Sequence, residues 1–498
     1  MKHIIIIILF IVTWTACEDQ LDQAPISSPS AANFYRDTED FEQAVTGIYN
    51  SLNDYSNLQF YLSEVRSDNV YSPGTGVREW NPVNNFDNTL STNSLMASAW
   101  DGSYRGIFLA NTVLDKINPD VVPDETIRNR MIGEAKFIRA LYYFDLVRYF
   151  GKAPLYETVI SPSSALEVPR AEVSEVYNLI INDLEDAIQK LPASYAASGK
   201  ATSMAARGLL ARVYMTKSGP TYSIDGPGLE SGEYNQALTL LDEIINSNAF
   251  GLEDDYTDIF AYGNENNDEI IFAVQAINDG ATGDRGIGTI LPTLMYHESF
   301  AKINLPFAGG VPGDSPINPS DDLLDSYEEE DSRDETTVLM SYVDENGNTN
   351  VNPQFVKFLS LDPQFIPADR FNWGIDFPVI RYTDIVLMKA EALIQTGGDQ
   401  SEIDRLVNSI RERAGVPPVT NVNLDILLEE RRKEFAAEGL RWHDLVRTGQ
   451  VLEVMNAWKN KDDTSDKIPG IEANDIIYPI HQSQLEVKEG LYNQNPGY

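Results

Sequence analysis

Apolar residues recur every three or four positions through most of the first 250 residues, which is the spacing of an amphipathic helix. The pattern predicts helices over residues 40–52, 98–117, 127–149, 173–191, 203–217 and 234–246. Asp124 is placed to cap the start of the third helix, and Gly151 is placed to end it. The first half of the chain is therefore predicted to be helical, with one long interruption.

Two of these predicted helices also pair in a familiar way. The sequence AARGLLARVYM followed by EYNQALTLLDEII resembles a tetratricopeptide repeat, although the chain has no clean 34-residue period. We therefore expect a mainly α fold, built as a right-handed helical array of about four helix pairs. Long irregular loop insertions and a few short strands complete the predicted architecture.

A second helical block is predicted from residue 378 to residue 447, where three apolar stripes mark three helices. Charged residues share faces of its first and third helices: Arg381, Asp384 and Glu391 on one, and Arg431, Glu434 and Glu438 on the other. Two interpretations stay open. The charges form pairs within solvated helix faces, or they form an ion-pair network that locks the helices together.

Two segments do not follow the helical pattern. Residues 63–95 are rich in Asn, Gly, Pro and Ser, and residues 251–377 are predicted to form short strands, turns and loops. Loops this long inside a compact chain are usually functional or disordered. Scattered aromatic residues argue against disorder. Within the second segment, Asn346-Gly347 lies between two short apolar runs and predicts a hairpin turn.

The irregular segments carry the residue types that sugar recognition needs. A pyranose ring offers an apolar face to an aromatic side chain and a rim of hydroxyls to polar ones. Trp80 lies between Arg78 and Asn81, and Trp373 follows Arg370 and Asn372. Tyr296, Phe300 and Phe307 are further candidates. The alternative is that each aromatic residue belongs to a small hydrophobic cluster beneath a long loop.

Charge and composition narrow the function classes. The 498 residues include 37 Lys and Arg against 76 Asp and Glu, a net charge of −39, and no basic clusters. Such a chain is expected to repel nucleic acid and anionic lipid surfaces. A single cysteine excludes disulfides within the chain, and four histidines do not favour a multi-histidine metal site.

The N-terminus predicts export. A positive start, a short apolar run and a small residue before Cys17 describe an export signal over residues 1–16, too short for a transmembrane helix. The cysteine resembles the lipidated residue of a bacterial lipobox, although Trp14 replaces the usual aliphatic residue. Residues 17–32, with Pro25 and Pro29, then predict a lipidated tether.

Several runs together resemble one family. They are AKFIRALYYFDLVRYFGKAPL, RYTDIVLMKAEAL, IRERAGVP, ERRKEFAAEGLRWHDLVRTG and the closing NQNPGY. In this order they are similar to SusD/RagB proteins, the nutrient-capturing outer-membrane lipoproteins of Bacteroidetes. The resemblance implies a SusD-like helical region over residues 33–250, with residues 63–95 inserted. It also implies a C-terminal region over residues 251–498, with the insertion 251–377 before the helical block.

The resemblance also implies a function. A SusD-like protein would sit on the cell surface, anchored in the outer membrane through Cys17. It would bind an oligosaccharide and deliver it to a TonB-dependent, SusC-like transporter. Asp68, in the run SEVRSDN, matches a family position near the ligand site. Two alternatives keep this fold: a peptide cargo, or a transporter lid with weak ligand binding.

No enzymatic activity or cofactor is predicted. The sequence contains no nucleophile elbow, phosphate-binding loop or dinucleotide fingerprint. His443 and Asp444 are adjacent on a predicted helix, so their side chains point about 100° apart and cannot form a dyad. A glycoside hydrolase stays the remaining enzymatic alternative, because its two carboxylates pair in space and not in sequence.

Overall fold

The computed structural model describes residues 34–72, 74, 78–195, 199–281, 286–307, 309–344 and 346–498. The predicted export signal, Cys17 and the tether over residues 17–32 lie outside these ranges. Within the ranges, no helix combines the length and the apolar character that crossing a lipid bilayer requires.

The longer helices follow the predicted pattern. Among the described residues, those of eight or more residues are α1 (Thr38–Asn50), α2 (Ser94–Lys116), α3 (Glu125–Phe150), α4 (Val173–Lys190), α5 (Ser203–Lys217), α6 (Tyr234–Ser247), α7 (Tyr382–Thr396), α8 (Gln400–Arg413), α9 (Leu424–Phe435), α10 (Arg441–Thr448) and α11 (Val451–Asp462). The Asp124 carboxylate accepts a hydrogen bond from the Ile127 N–H at 3.0 Å, and Gly151 ends α3 with φ 68°. All six helices predicted in the first half are confirmed.

Consecutive helices pack side by side. Helix α2 packs on α3, α3 on α4, α4 on α5, α5 on α6, α6 on α7, and α7 on α8. The contact between α6 and α7 joins two helices that the whole segment 251–377 separates in sequence. The mainly α fold is therefore confirmed, and the irregular segment leaves the helical array at one helix and returns to it at the next.

Short elements fill the connections. The short helical turns are Ser51–Asp54, Tyr55–Gln59, Phe60–Glu64, Asn81–Asn84, Asn88–Thr92, Pro162–Ala165, Tyr256–Phe260, Leu291–Leu294, Glu298–Asn304, Asp321–Leu324, Arg333–Thr337, Ala473–Ile476 and Gln482–Leu485. Strands occur as antiparallel pairs: β1 (Val70–Tyr71) with β5 (Asn318–Pro319), β2 (Ala153–Pro154) with β3 (Arg170–Ala171), β4 (Ile270–Val274) with β10 (Phe377–Arg381), β6 (Val338–Leu339) with β9 (Gln354–Phe355), and β7 (Tyr342–Val343) with β8 (Thr349–Asn350).

The predicted hairpin is confirmed. Strands β7 and β8 pair on either side of the turn, and Gly347 has φ 81°, a conformation that glycine adopts without strain. The Asp344 carboxylate accepts hydrogen bonds from the N–H groups of Asn346 and Asn348, both at 2.9 Å. The carboxylate thus holds the turn from within.

The charged faces of the helical block form a buried ion-pair network. Arg431 reaches Asp384 at 2.8 Å and Asp444 at 2.8 Å, and Arg447 reaches Glu391 at 2.6 Å. All five side chains are buried. Because these pairs link α7, α9 and α10, the interpretation as a network between helices is confirmed, and that of solvated faces is wrong.

Arg381 differs from the prediction in one respect. It ends strand β10 and precedes α7, so it does not belong to the helix on which it was placed. From the strand its guanidinium reaches Glu269 at 2.7 Å, Glu434 at 2.7 Å and Glu438 at 2.9 Å. These carboxylates lie just before β4 (Glu269), on α9 (Glu434) and just after the end of α9, so Glu438 also lies outside the helix on which it was placed.

Residues 63–95 are less loop-like than predicted. Every residue from Ser63 to Asn69 is buried, and the Glu64 carboxylate accepts hydrogen bonds from the N–H groups of Ala437 at 2.8 Å and Gly439 at 3.0 Å. Polar residues of this segment, among them Glu64 and Asp68, pair with groups that are distant in sequence. Their polarity therefore marks an interior contact, whereas the sequence pattern suggested a surface loop.

Candidate functional site

The two irregular segments meet at an open cleft of about 450 Å³, which we call the aromatic cleft. Residues 61, 78–80, 290, 293, 294, 298, 309–312 and 370–371 contribute to its walls. Three of the predicted binding residues line it together: Arg78, Trp80 and Arg370. Volumes of a few hundred Å³ are typical of small-ligand sites. The fold therefore brings residues from both predicted sugar-binding groups, the one around Trp80 and the one around Trp373, into one cleft.

One wall of the aromatic cleft is a stacked aromatic pair. The rings of Tyr61 and Trp80 lie nearly parallel, at 6°, with centroids 5.9 Å apart. The indole N–H of Trp80 donates to the carbonyl oxygen of Ser315 at 3.3 Å. These contacts leave Trp80 only 6% exposed, so it offers the cleft a narrow strip of its surface.

Another part of the cleft wall carries Arg370 and Phe371. The Arg370 guanidinium lies 4.6 Å from the centre of the Phe371 ring, and both residues are half-buried. Gly309 makes this placement possible: it has φ 144°, and a Cβ there would lie 2.2 Å from Arg370 Nη1. Any larger residue would push the guanidinium away. The Arg370 guanidinium and the Phe371 ring therefore lie next to each other at the cleft.

A layer beneath the wall holds Arg370 in place. The Thr293 hydroxyl donates to the carbonyl oxygen of Arg370 at 2.5 Å and accepts from the indole N–H of Trp373 at 3.0 Å. The Tyr296 hydroxyl lies 3.1 Å from the same threonine. Burial raises the pKa of Tyr296 to about 12, so its hydroxyl stays neutral. Trp373 and Tyr296 have no exposed surface, and they support the cleft from below.

Asn372 also lies in this supporting layer. It is fully buried, its side-chain oxygen accepts from the Gly288 N–H at 3.0 Å, and its amide donates to Asp279 at 2.7 Å. Asn81 packs behind Trp80, where its amide donates to the Ser72 hydroxyl at 3.2 Å. Neither residue lines the aromatic cleft. In the positions observed, both stabilise the loops that carry Trp80 and Arg370.

Asp68 lies apart from the aromatic cleft. Its carboxylate is fully buried and receives two hydrogen bonds from Arg441, each 2.8 Å, with Arg432 at 3.2 Å. Burial alone would raise its pKa, but the two guanidinium charges outweigh burial and lower the pKa to about 2. The carboxylate is already saturated by arginines, so this placement gives Asp68 a structural role.

The sequence pattern did not identify Tyr61 and Phe371, which both line the aromatic cleft. Phe371 follows Arg370 directly, so an aromatic residue next to an arginine in a polar loop was an available signal. Tyr61 lies in a short apolar run that gives no such signal, and only its stacking against Trp80 brings it to the cleft. In the part of the chain that the structure describes, no group of three His, Cys, Asp or Glu residues is arranged to hold a metal ion.

Comparison with known proteins follows the same division of the chain. Residues 324–498 match a model described as the SusD family, and residues 20–215 match one described as "Starch-binding associating with outer membrane". A SusD-like protein of Bacteroides ovatus is 27% identical over 471 residues, which is 90% of this chain and 83% of the relative. A SusD-like protein of Formosa agariphila is 28% identical over 509 residues, 93% of this chain and 92% of the relative.

Solved structures share the fold. A laminarin-binding SusD-like protein matches with a TM-score of 0.77 and 28% identity, over 93% of this chain and all of that one. The agreement extends through both halves of the chain and through the segment between residues 215 and 324, which the two family models leave uncovered. The helical array and the irregular segment therefore belong to one common architecture.

Proposed function

Because the chain belongs to the SusD-like family, we propose that it binds an oligosaccharide at the cell surface and passes it on chemically unchanged. The observation that carries this proposal is the aromatic cleft, where Arg370 and Phe371 face the cleft beside Arg78 and Trp80. A sugar ring can place its apolar face on an aromatic side chain while its hydroxyls bond to the neighbouring guanidinium. The laminarin-binding relative supports a glycan over a peptide.

The same family membership supports the rest of the proposed role. The family description that matches residues 20–215 names association with the outer membrane. We infer anchoring through a lipid on Cys17, with the tether holding the helical array above the membrane, and several acyl chains on one residue would give a stable attachment. Delivery would be to a TonB-dependent, SusC-like transporter. The laminarin-binding relative and the family model over residues 20–215 are named for binding and not for a reaction, which supports capture without chemistry.

Calorimetric titration of residues 18–498 tests the proposal. That chain retains every described residue and omits the predicted export signal. The panel contains laminarihexaose, maltoheptaose and a mixture of short peptides. We expect one of the two oligosaccharides to bind. Phe371→Ala and Arg370→Ala should each weaken that binding by about tenfold, or ~1.4 kcal/mol, because each removes one half of the proposed contact.

Phe108→Ala is the matched control, since Phe108 is an exposed aromatic residue, 53% accessible, outside the aromatic cleft. Its affinity should equal that of the unmodified chain. If peptides bind instead and Phe371→Ala abolishes that binding, the aromatic cleft is still the binding site, but its ligand is a peptide. Oligosaccharide binding unaffected by both cleft variants would refute the assignment of this site.

A further inference from the structure

A second cavity, separate from the aromatic cleft, opens within the helical array. It has a volume of about 530 Å³, and it lies between α1, α2 and α3 next to the short turns that follow α1. We call it the helical cavity. Its lining and that of the aromatic cleft have no residue in common. Nothing in the proposed function uses it.

Two glycines keep the helical cavity open. A Cβ added at Gly47 of α1 or at Gly102 of α2 would meet nothing within 4 Å. The other glycines inside the described helices are needed for close packing: a Cβ at Gly106 would lie 1.9 Å from the Tyr142 ring, and one at Gly133 would lie 2.8 Å from Leu191. Glycine within a helix costs about 0.5–1 kcal/mol relative to alanine. At Gly47 and Gly102 packing does not explain that cost, whereas open space for a ligand does.

The inner end of the helical cavity holds an unused hydroxyl. Tyr149 lines the cavity and is 3% exposed, and its hydroxyl has no hydrogen-bond partner among the described residues. A buried polar group without a partner costs about 1–3 kcal/mol. Nearby, Gln59 donates to Asp145 at 3.3 Å. A bound hydroxyl would satisfy Tyr149 and extend this chain of hydrogen bonds.

The charges around the helical cavity favour a neutral ligand. Asp145 is buried at the inner end, where Arg148 pairs with it and balances its charge. At the mouth, Arg105 and Asp54 carry opposite signs. The remaining polar lining consists of amides and hydroxyls, including Asn50 and Ser98, which both donate and accept. The inner end, where the charges of Asp145 and Arg148 balance, therefore suits a neutral, hydroxyl-bearing ligand better than a charged one.

From this geometry we propose that the helical cavity is a second carbohydrate site, which binds a neutral saccharide of one or two sugar units. The volume fits a ligand of that size, and the amide and hydroxyl lining matches a ring of sugar hydroxyls. The buried rings of Tyr55 and Tyr142 supply an apolar side. The proposal stands on this cavity and does not depend on binding in the aromatic cleft.

Saturation-transfer NMR of residues 18–498 with cellobiose, laminaribiose and maltose tests the proposal. We expect at least one of the three to bind. Gly47→Leu fills the cavity and should weaken binding by at least about tenfold, while leucine favours the helix. Tyr149→Phe removes a hydroxyl that has no partner among the residues that the structure describes, so it should weaken binding about fivefold without lowering the folding stability.

Thr46→Leu is the matched control, because it places the same side chain on the exposed face of α1. Both Thr46→Leu and Arg370→Ala should bind the disaccharide normally. The proposal is overturned if none of the three disaccharides binds, or if Gly47→Leu binds as well as Thr46→Leu. It is also overturned if only Arg370→Ala loses binding, because the disaccharide would then occupy the aromatic cleft.

Laminarihexaose and maltoheptaose binding, measured in the same variants, separates the two proposals. We expect Gly47→Leu to retain the oligosaccharide that binds in the aromatic cleft. If neither oligosaccharide binds but the disaccharide does, and Gly47→Leu abolishes that binding, the aromatic cleft assignment fails and the helical cavity is upheld. The reverse pattern would refute the helical cavity alone.

Discussion

Arg381 and Arg370 lie close together in the chain, yet their guanidinium groups are used differently. Arg381 is 2% exposed and pairs with Glu269, Glu434 and Glu438. Arg370 is half-buried, lies against Phe371 and forms no ion pair with any described residue. The helical block therefore uses its arginines to join elements to one another. The aromatic cleft leaves its arginines available to a ligand.

The two arginines show how a structural residue can be distinguished from a candidate binding residue in an acidic chain. Ion pairing to buried carboxylates identifies arginines of the scaffold, and exposure beside an aromatic ring identifies candidates for binding. Variants in the two regions should consequently differ in which quantity they change. Scaffold variants should lower the free energy of unfolding, and cleft variants should lower affinity.

The largest expected effect on stability is that of Arg381→Ala. It removes a cation that three buried carboxylates share, and breaking buried pairs in this way costs about 3–5 kcal/mol. Urea unfolding followed by circular dichroism measures the loss. Arg405→Ala is the control, since the Arg405 side chain is 63% exposed and its pair with Glu402 lies in solvent. Equal losses in the two variants would contradict the scaffold role of the buried network.

Asp68→Asn should have the next largest effect and should change the pH dependence. The folded-state pKa of Asp68 is about 2, below its ordinary value of 3.8. A lowered pKa stabilises the fold above pH ~4, and that contribution is lost as the pH falls through about 2. At pH 7 the contribution is about 2 kcal/mol.

Urea unfolding of Asp68→Asn and of the unmodified chain, measured between pH 7 and pH 2.5, checks this prediction. The difference between the two should shrink as the pH falls. A difference in unfolding free energy that stays constant over that range would show that ionised Asp68 does not stabilise the fold.

Trp373→Phe tests the layer beneath the aromatic cleft. It removes the indole N–H that donates to Thr293 and leaves a small void, which together should cost about 1–2 kcal/mol of stability. Because Thr293 also holds the Arg370 carbonyl, oligosaccharide affinity should fall as well. Thermal unfolding and titration on the same sample measure both losses. An intact affinity alongside the expected loss of stability would mean that the layer does not position Arg370.

Arg370→Ala should have the smallest effect on stability, within about 0.5 kcal/mol, because the side chain is partly exposed and forms no ion pair with described residues. Its effect should appear in oligosaccharide affinity. Urea unfolding provides the comparison with Arg381→Ala. A loss of stability as large as that of Arg381→Ala would remove the distinction between the two regions.

The amino-acid sequence by itself determined the helices and their order. Apolar spacing predicted α1 through α9 closely, and Asp124 and Gly151 mark the ends of α3 because capping depends on neighbouring residues only. The motifs also identified the family. These features share one property: the physical signal lies within about one helix length of chain.

Only the tertiary structure decided which polar and aromatic residues line the aromatic cleft. Asp68, Tyr296 and Trp373 are residue types that are common in binding sites, yet each is buried against partners from distant parts of the chain. Arg370 reaches the cleft that Tyr61 also lines because Gly309 leaves room for the guanidinium. Burial and pairing depend on contacts between residues far apart in sequence, and local patterns do not encode those contacts.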